Sequence, residues 1–116
     1  MHINAVLAGI AVSHIDTAVE WYESFLKQPV TARPMPSLAE WQLDSCRLQL
    51  IADPQRAGSS LVTFDIDDLD VVAGALVDSG LCEPLEITSG DTVRFTQVAD
   101  PDRNTLTLVE SPTAER

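Results

Sequence analysis

Apolar residues along the chain change period several times, and each change marks an element. Ala5–Val12 is a short apolar run rich in small residues that stops at Ser13, a length that fits a strand. From Ile15 the apolar positions Ile15, Ala18, Val19, Tyr22, Phe25 and Leu26 fall at helical spacing along one face, and Pro29 ends the pattern. Ser13 is the predicted N-cap, with Asp16 answering three residues on as in a capping box. Val30–Met35, Leu38–Leu43 and Cys46–Ala52 follow as short segments separated by Pro34/Pro36 and by Asp44-Ser45, and they read as three strands joined by tight turns. A two-residue turn at Asp44-Ser45 sets Trp41 opposite Leu48, on the helix side of the sheet, so Trp41 is expected in the core. Trp21 is expected in the core or in a dimer contact.

The breakers Asp53-Pro54-Gln55-Arg56-Ala57-Gly58 interrupt the pattern, which then starts again. Ser60–Ile66 alternates as a strand. Asp67-Asp68-Leu69-Asp70 opens a helix whose apolar face is Leu69, Val72, Ala73, Leu76 and Val77, with Gly80 at the C′ position. Glu83–Thr88, Thr92–Val98 and Thr105–Glu110 are the remaining strand candidates. Ser13-His14-Ile15-Asp16 superposes on Asp67-Asp68-Leu69-Asp70 at an offset of 54 residues, and Leu48-Gln49-Leu50 on Leu106-Thr107-Leu108 at an offset of 58. The chain is therefore an internal duplication, β-α-β-β-β twice. We expect an α+β fold in one domain, 1–116, with module one at 1–53, a linker at 54–58, module two at 59–111 and a tail at 112–116.

Composition narrows the functions available. The 116 residues carry 7 Lys+Arg against 18 Asp+Glu, a formal net charge of −11, and 45% are apolar. That apolar share suits a packed domain. The only lysine is Lys27 and the six arginines are scattered, so neither a row of phosphates nor an anionic membrane surface would be held: no nucleic acid and no membrane partner are expected. Cys46 and Cys82 stand in no metal or redox spacing, and the N-terminal apolar run is too short to span a bilayer, which suggests a cytoplasmic protein with reduced thiols. No nucleophile elbow, dinucleotide-binding or phosphate-binding glycine loop occurs. Asp65, Asp67, Asp68 and Asp70 lack the spacing of a calcium loop and read as charge at a helix N-terminus. His2 and His14 have no histidine partner at ligand spacing, and His14 reads as an exposed turn residue.

Two segments resemble the vicinal oxygen chelate superfamily, which includes glyoxalase I, extradiol dioxygenases and the fosfomycin- and bleomycin-resistance proteins. Val12-Ser13-His14-Ile15-Asp16-Thr17-Ala18-Val19-Glu20-Trp21-Tyr22 is similar to the family's first strand-to-helix junction. Asp100-Pro101-Asp102-Arg103-Asn104, followed by Leu106-Thr107-Leu108, is similar to its Asp-Pro-Asp-Gly-Asn turn and last strand, with Arg103 in place of Gly. The resemblance implies two curled sheets that form a cup. It also implies that the catalytic members' metal-ligand positions fall here on Leu7, Gln49, Leu61 and Thr107. None is His, Glu, Asp or Cys, so the expected relatives are the metal-free branch, with no cofactor, no metal and no catalytic residue assigned.

If those four positions face the cup, strand alternation adds Gly9 beside Leu7, Arg47 beside Gln49 and Thr63 beside Leu61. On Thr92–Val98 we place Phe95 and Gln97 inside, because Val98 should pack under the second helix. A lining of Leu7, Gly9, Arg47, Gln49, Leu61, Thr63, Phe95, Gln97 and Thr107 suits a largely apolar or planar organic ligand held by a few hydrogen bonds. The leading expectation is a small-molecule binding protein resembling the bleomycin-resistance branch. The alternatives are a glyoxalase-like lyase, isomerase or dioxygenase with a non-standard site, and an interaction module with a closed cup. The first strands of both modules are apolar edges with few charges, which leads us to expect a homodimer.

Overall fold

The computed structural model describes residues 1–111; the expected tail, 112–116, lies outside the described residues. The elements are β1 (Leu7–Val12), α1 (Ile15–Leu26), β2 (Ala32–Met35), β3 (Leu38–Gln42), β4 (Arg47–Ala52), β5 (Leu61–Asp65), α2 (Leu69–Asp78), β6 (Thr88–Ser89), β7 (Arg94–Ala99) and β8 (Thr105–Glu110). They form two four-stranded sheets of like topology, β1-β4-β3-β2 and β5-β8-β7-β6. In each, the first strand pairs in parallel with the last strand of its own module and the other pairs are antiparallel. The duplicated α+β architecture expected from the repeat is the one observed.

Each sheet has one face under a helix and one face free of helices. On the covered face of the first sheet lie Ile10, Val12, Ala39, Trp41, Leu48 and Leu50, all buried. Trp41 pairs with Leu48 as expected, and its indole Nε1 donates to the Gln28 carbonyl at 3.0 Å, so the large ring is buried with its polar atom satisfied. On the second sheet the covered face holds Leu106, Leu108, Thr96 and Val98. Ala18, Val19 and Tyr22 of α1 and Leu69, Ala73 and Leu76 of α2 close onto these faces. The two halves meet in one continuous core, with Phe25 of α1 edge-on to Phe64 of β5 at 5.6 Å.

The helix ends show how local chemistry sets the boundaries. α2 closes with a Schellman pair: Gly80 N–H donates to the Val77 carbonyl and Leu81 N–H to the Leu76 carbonyl, with Gly80 at φ 79°. α1 ends on Lys27 in the left-handed region, φ 54°, just ahead of Pro29. The expected capping box at Ser13 does not form. His14 is the N-cap and its side chain makes no capping bond, while Ser13 N–H is taken by Asp102 Oδ2 at 2.9 Å, a partner 89 residues away.

All strands but β8 differ in their bounds from expectation, and two of the differences have a clear cause. β1 starts at Leu7 rather than Ala5, because its partner β4 starts at Arg47 and offers no ladder to Ala5 or Val6. The strand expected over Glu83–Thr88 shrinks to the two residues Thr88–Ser89; Pro84 has no N–H to give, and Leu81, Leu85 and Ile87 instead pack as irregular chain against the core. No helix among the described residues is long and apolar enough to cross a membrane.

Candidate functional site

The helix-free faces hold all nine residues singled out from the sequence. Residues that pair across strands share a face, so the registers Leu7↔Arg47 and Gly9↔Gln49 gather the first-sheet group on one surface. Leu61↔Thr105 and Thr63↔Thr107 across β5–β8, with Gln97↔Thr107 and Phe95↔Val109 across β7–β8, gather the second-sheet group. Gln97 Nε2 donates to Thr107 Oγ1 at 3.3 Å. The structure thus forms two patches, one per sheet. Leu7, Arg47, Gln49, Phe95 and Thr107 are half-buried, and Gly9, Leu61, Thr63 and Gln97 are exposed. Leu61 is 79% exposed, so this chain alone does not cover its own apolar surface there.

The two sheet edges touch at one end. Ala11 N–H donates to Ser60 Oγ at 3.1 Å, and beside that contact Gly9, Ala11, Ile51, Asp53, Arg56, Ser59 and Ser60 line a recess of about 360 Å³. Arg56 is held at the recess rim by Asp53 at 3.0 Å. A second cleft, of about 380 Å³, includes Ala8, Cys46, Leu48, Val62 and Phe64.

The helix-free faces also hold polar residues that the sequence did not single out, Glu40, Gln42 and Thr105 among them. Glu40, on β3, lies opposite Gln49 and accepts a 2.6 Å hydrogen bond from Gln49 Nε2. The signal was available: the register that sends Trp41 into the core turns Glu40 to the open face, against Gln49.

A buried polar knot keeps the two halves in register behind this surface. Asp100 Oδ1 accepts the N–H groups of Asp102 and Asn104, and Asp100 Oδ2 accepts from Tyr22 Oη and Asn104 Nδ2. Asn104, fully buried, also donates to the Ala11 carbonyl of β1 and accepts from the N–H groups of Gly58 and Ser60. The Asp100–Asn104 turn that carries the family resemblance therefore joins β1, α1, the inter-module segment and β8. Burial, then the hydrogen bond and charge of Asp100, push the Tyr22 phenol far above its ordinary value. At the opposite end of β8, Glu110 Oε2 accepts Leu69 N–H at the start of α2, and Arg94 bridges Glu110 and Asp70. The Arg94 hydrogen bond holds the Asp70 carboxyl below the usual range. This part of the acidic cluster anchors a helix start, with Glu110 supplying the cap from another strand.

The donor chemistry for a metal is poor. Leu7 and Leu61 carry no donor atom, and Gln49 and Thr107 offer only neutral oxygens or an amide. Among the described residues no group of three His, Cys, Asp or Glu side chains is placed to hold an ion. His14 is exposed at the start of α1, apart from both patches.

Comparison with solved structures agrees with this geometry. A glyoxalase / bleomycin resistance protein from Catenulispora acidiphila is 30% identical, with 93% of this chain and 98% of that chain covered and a TM-score of 0.76. TnmS3, an antibiotic binding protein from Streptomyces sp. CB03234, is 21% identical over 97% of this chain and 99% of its own, with a TM-score of 0.79. Lactoylglutathione lyase from Agrobacterium tumefaciens shares the fold at a TM-score of 0.76 and 15% identity, covering 93% and 94% of the two chains. No family model matches the chain, and no curated protein matches its sequence. The chain belongs to the glyoxalase/bleomycin-resistance family of the vicinal oxygen chelate superfamily.

Proposed function

We propose that this chain is a metal-free small-molecule binding protein that holds a largely apolar or planar organic ligand on its helix-free sheet faces. The observation that carries the reading is the lining itself: aliphatic, amide and hydroxyl side chains, Leu7, Gln49, Leu61 and Thr107, occupy the positions where catalytic relatives would need His or Glu. Such a surface binds by area and a few oriented hydrogen bonds. The Streptomyces neighbour, an antibiotic binding protein by name, supports small-molecule binding. We assign the site to Leu7, Gly9, Arg47, Gln49, Leu61, Thr63, Phe95, Gln97 and Thr107.

A second copy of the chain completes the cup in this reading. Leu61 at 79% exposure and Ile51 at 39% leave apolar surface that a homodimer would cover. The free thiols Cys46 and Cys82 support a reducing, cytoplasmic setting. Native mass spectrometry and elemental analysis of protein purified without additives test the proposal. A dimer carrying an organic adduct and no stoichiometric metal is expected; one tightly held Zn, Ni, Mn or Fe per chain would overturn it.

A further inference from the structure

The row Gly9↔Gln49↔Glu40 runs across three adjacent strands of the helix-free face. At its centre Gln49 Nε2 donates to Glu40 Oε2 at 2.6 Å. That bond turns the donor end of the amide toward the carboxylate and spends one oxygen of Glu40. Among the described residues, neither Glu40 Oε1 nor Gln49 Oε1 takes a hydrogen bond. The half-buried carboxylate also has no ion pair among the described residues. Arg33, on the neighbouring strand, is committed to the Leu38 and Pro36 carbonyls and to Asp16. Arg47, on the same face two residues before Gln49, makes no ion pair among the described residues. Beside the pair, Gly9 has no side chain, and its backbone opens into the recess of about 360 Å³.

We propose that Glu40 and Gln49, next to the bare backbone of Gly9, form a paired-acceptor seat for a positively charged N–H group of the ligand: an amidinium, a guanidinium or a protonated amine. The inference rests on the cup reading above and names the ligand class. A carboxylate partly withdrawn from water and without a cation among the described residues is best satisfied by a charged donor. An adjacent amide oxygen adds a second acceptor, which matches groups that present two N–H bonds. Gly9 puts no side chain of its own beside the pair, and the Ile51 side chain lies close: a Cβ at Gly9 would meet Ile51 Cδ1 at 3.3 Å. The net charge of −11 favours approach of cations.

Benzamidine, benzamide and benzoate share one ring and differ only in head group, so a ¹⁵N-resolved NMR titration of the full chain with each separates the possibilities. Benzamidine is expected to bind at least about tenfold more tightly than benzamide. Its shifts should centre on the Gly9 backbone and the Gln49 side-chain amide. Glu40→Gln keeps the shape and should reduce benzamidine to the affinity of benzamide. Gln49→Met, which removes only the amide, should weaken benzamidine several-fold. Benzamide or benzoate binding at Gly9 as tightly as benzamidine, or a preference that survives Glu40→Gln, would overturn the charged seat and leave the cup reading intact. If none of the three shifts either helix-free face, the cup reading itself fails and takes the seat with it.

Discussion

Tyr22 donates its hydroxyl to Asp100 Oδ2 at 2.7 Å, linking the first helix to the turn before the last strand, 78 residues on. Behind this bond Asn104 reaches β1 and the inter-module segment from the same turn. The two sheets carry the two candidate patches, so this knot determines where the patches stand relative to each other.

Asn104→Ala removes the knot's centre. It leaves the N–H groups of Gly58 and Ser60 and the Ala11 carbonyl without their buried partner, at an expected cost of about 3 kcal/mol or more. Urea denaturation measures it; a loss under about 1 kcal/mol would contradict the role given to the turn.

Tyr22 also gives the protein a dependence on alkaline pH. Burial, then Asp100, raises its phenol above the ordinary 10.0, so the folded chain keeps the proton that the unfolded chain releases. The stabilisation is whole below pH about 10 and is lost as pH rises beyond it. Tyr22→Phe should cost about 1–2 kcal/mol at neutral pH and flatten the decline above pH 10. The difference between the two stability profiles isolates Tyr22 from Cys82, whose thiol burial also pushes up.

Arg103 stands at φ 75°, where the family's turn carries glycine. Arg103→Gly is expected to stabilise the chain by about 0.5–1 kcal/mol through relief of that conformation, read in the same denaturation experiment. A destabilising result would mean that the arginine side chain contributes something beyond its backbone.

Glu110→Ala removes the cap on Leu69 N–H and one partner of Arg94, and should cost about 1 kcal/mol. Arg94→Gln should return the Asp70 pKa upward toward its ordinary 3.8 in a carboxyl NMR titration. The contribution of the Arg94–Asp70 pair is present above the usual carboxylate range and is lost as pH falls through the depressed value.

Much of the architecture is legible in the residues because it depends on local period. The helical spacing of Ile15, Ala18, Val19 and Tyr22 and of Leu69, Ala73 and Leu76 marks both helices, and alternation places Trp41 and Val98 inward with Phe95 and Gln97 on the opposite face. Features that depend on distant partners are not legible in this way. Ser13 looks like a cap, yet its N–H answers to Asp102, and the start of α2 is capped by Glu110 from β8. Glu40 belongs between these cases: it reaches the helix-free face only through its register against Gln49.

The central claim is that ligand binds on the helix-free faces without a metal. A ¹⁵N-resolved titration of the chain with planar aromatic compounds in the presence of EDTA tests it most directly, with Gly9→Trp as the blocked form. The account predicts shifts at Gly9, Gln49, Thr63 and Thr107 that Gly9→Trp abolishes. Shifts confined to the apolar groove of Phe25, Phe64 and Val72 on the helix side, or binding that disappears with EDTA, would contradict it.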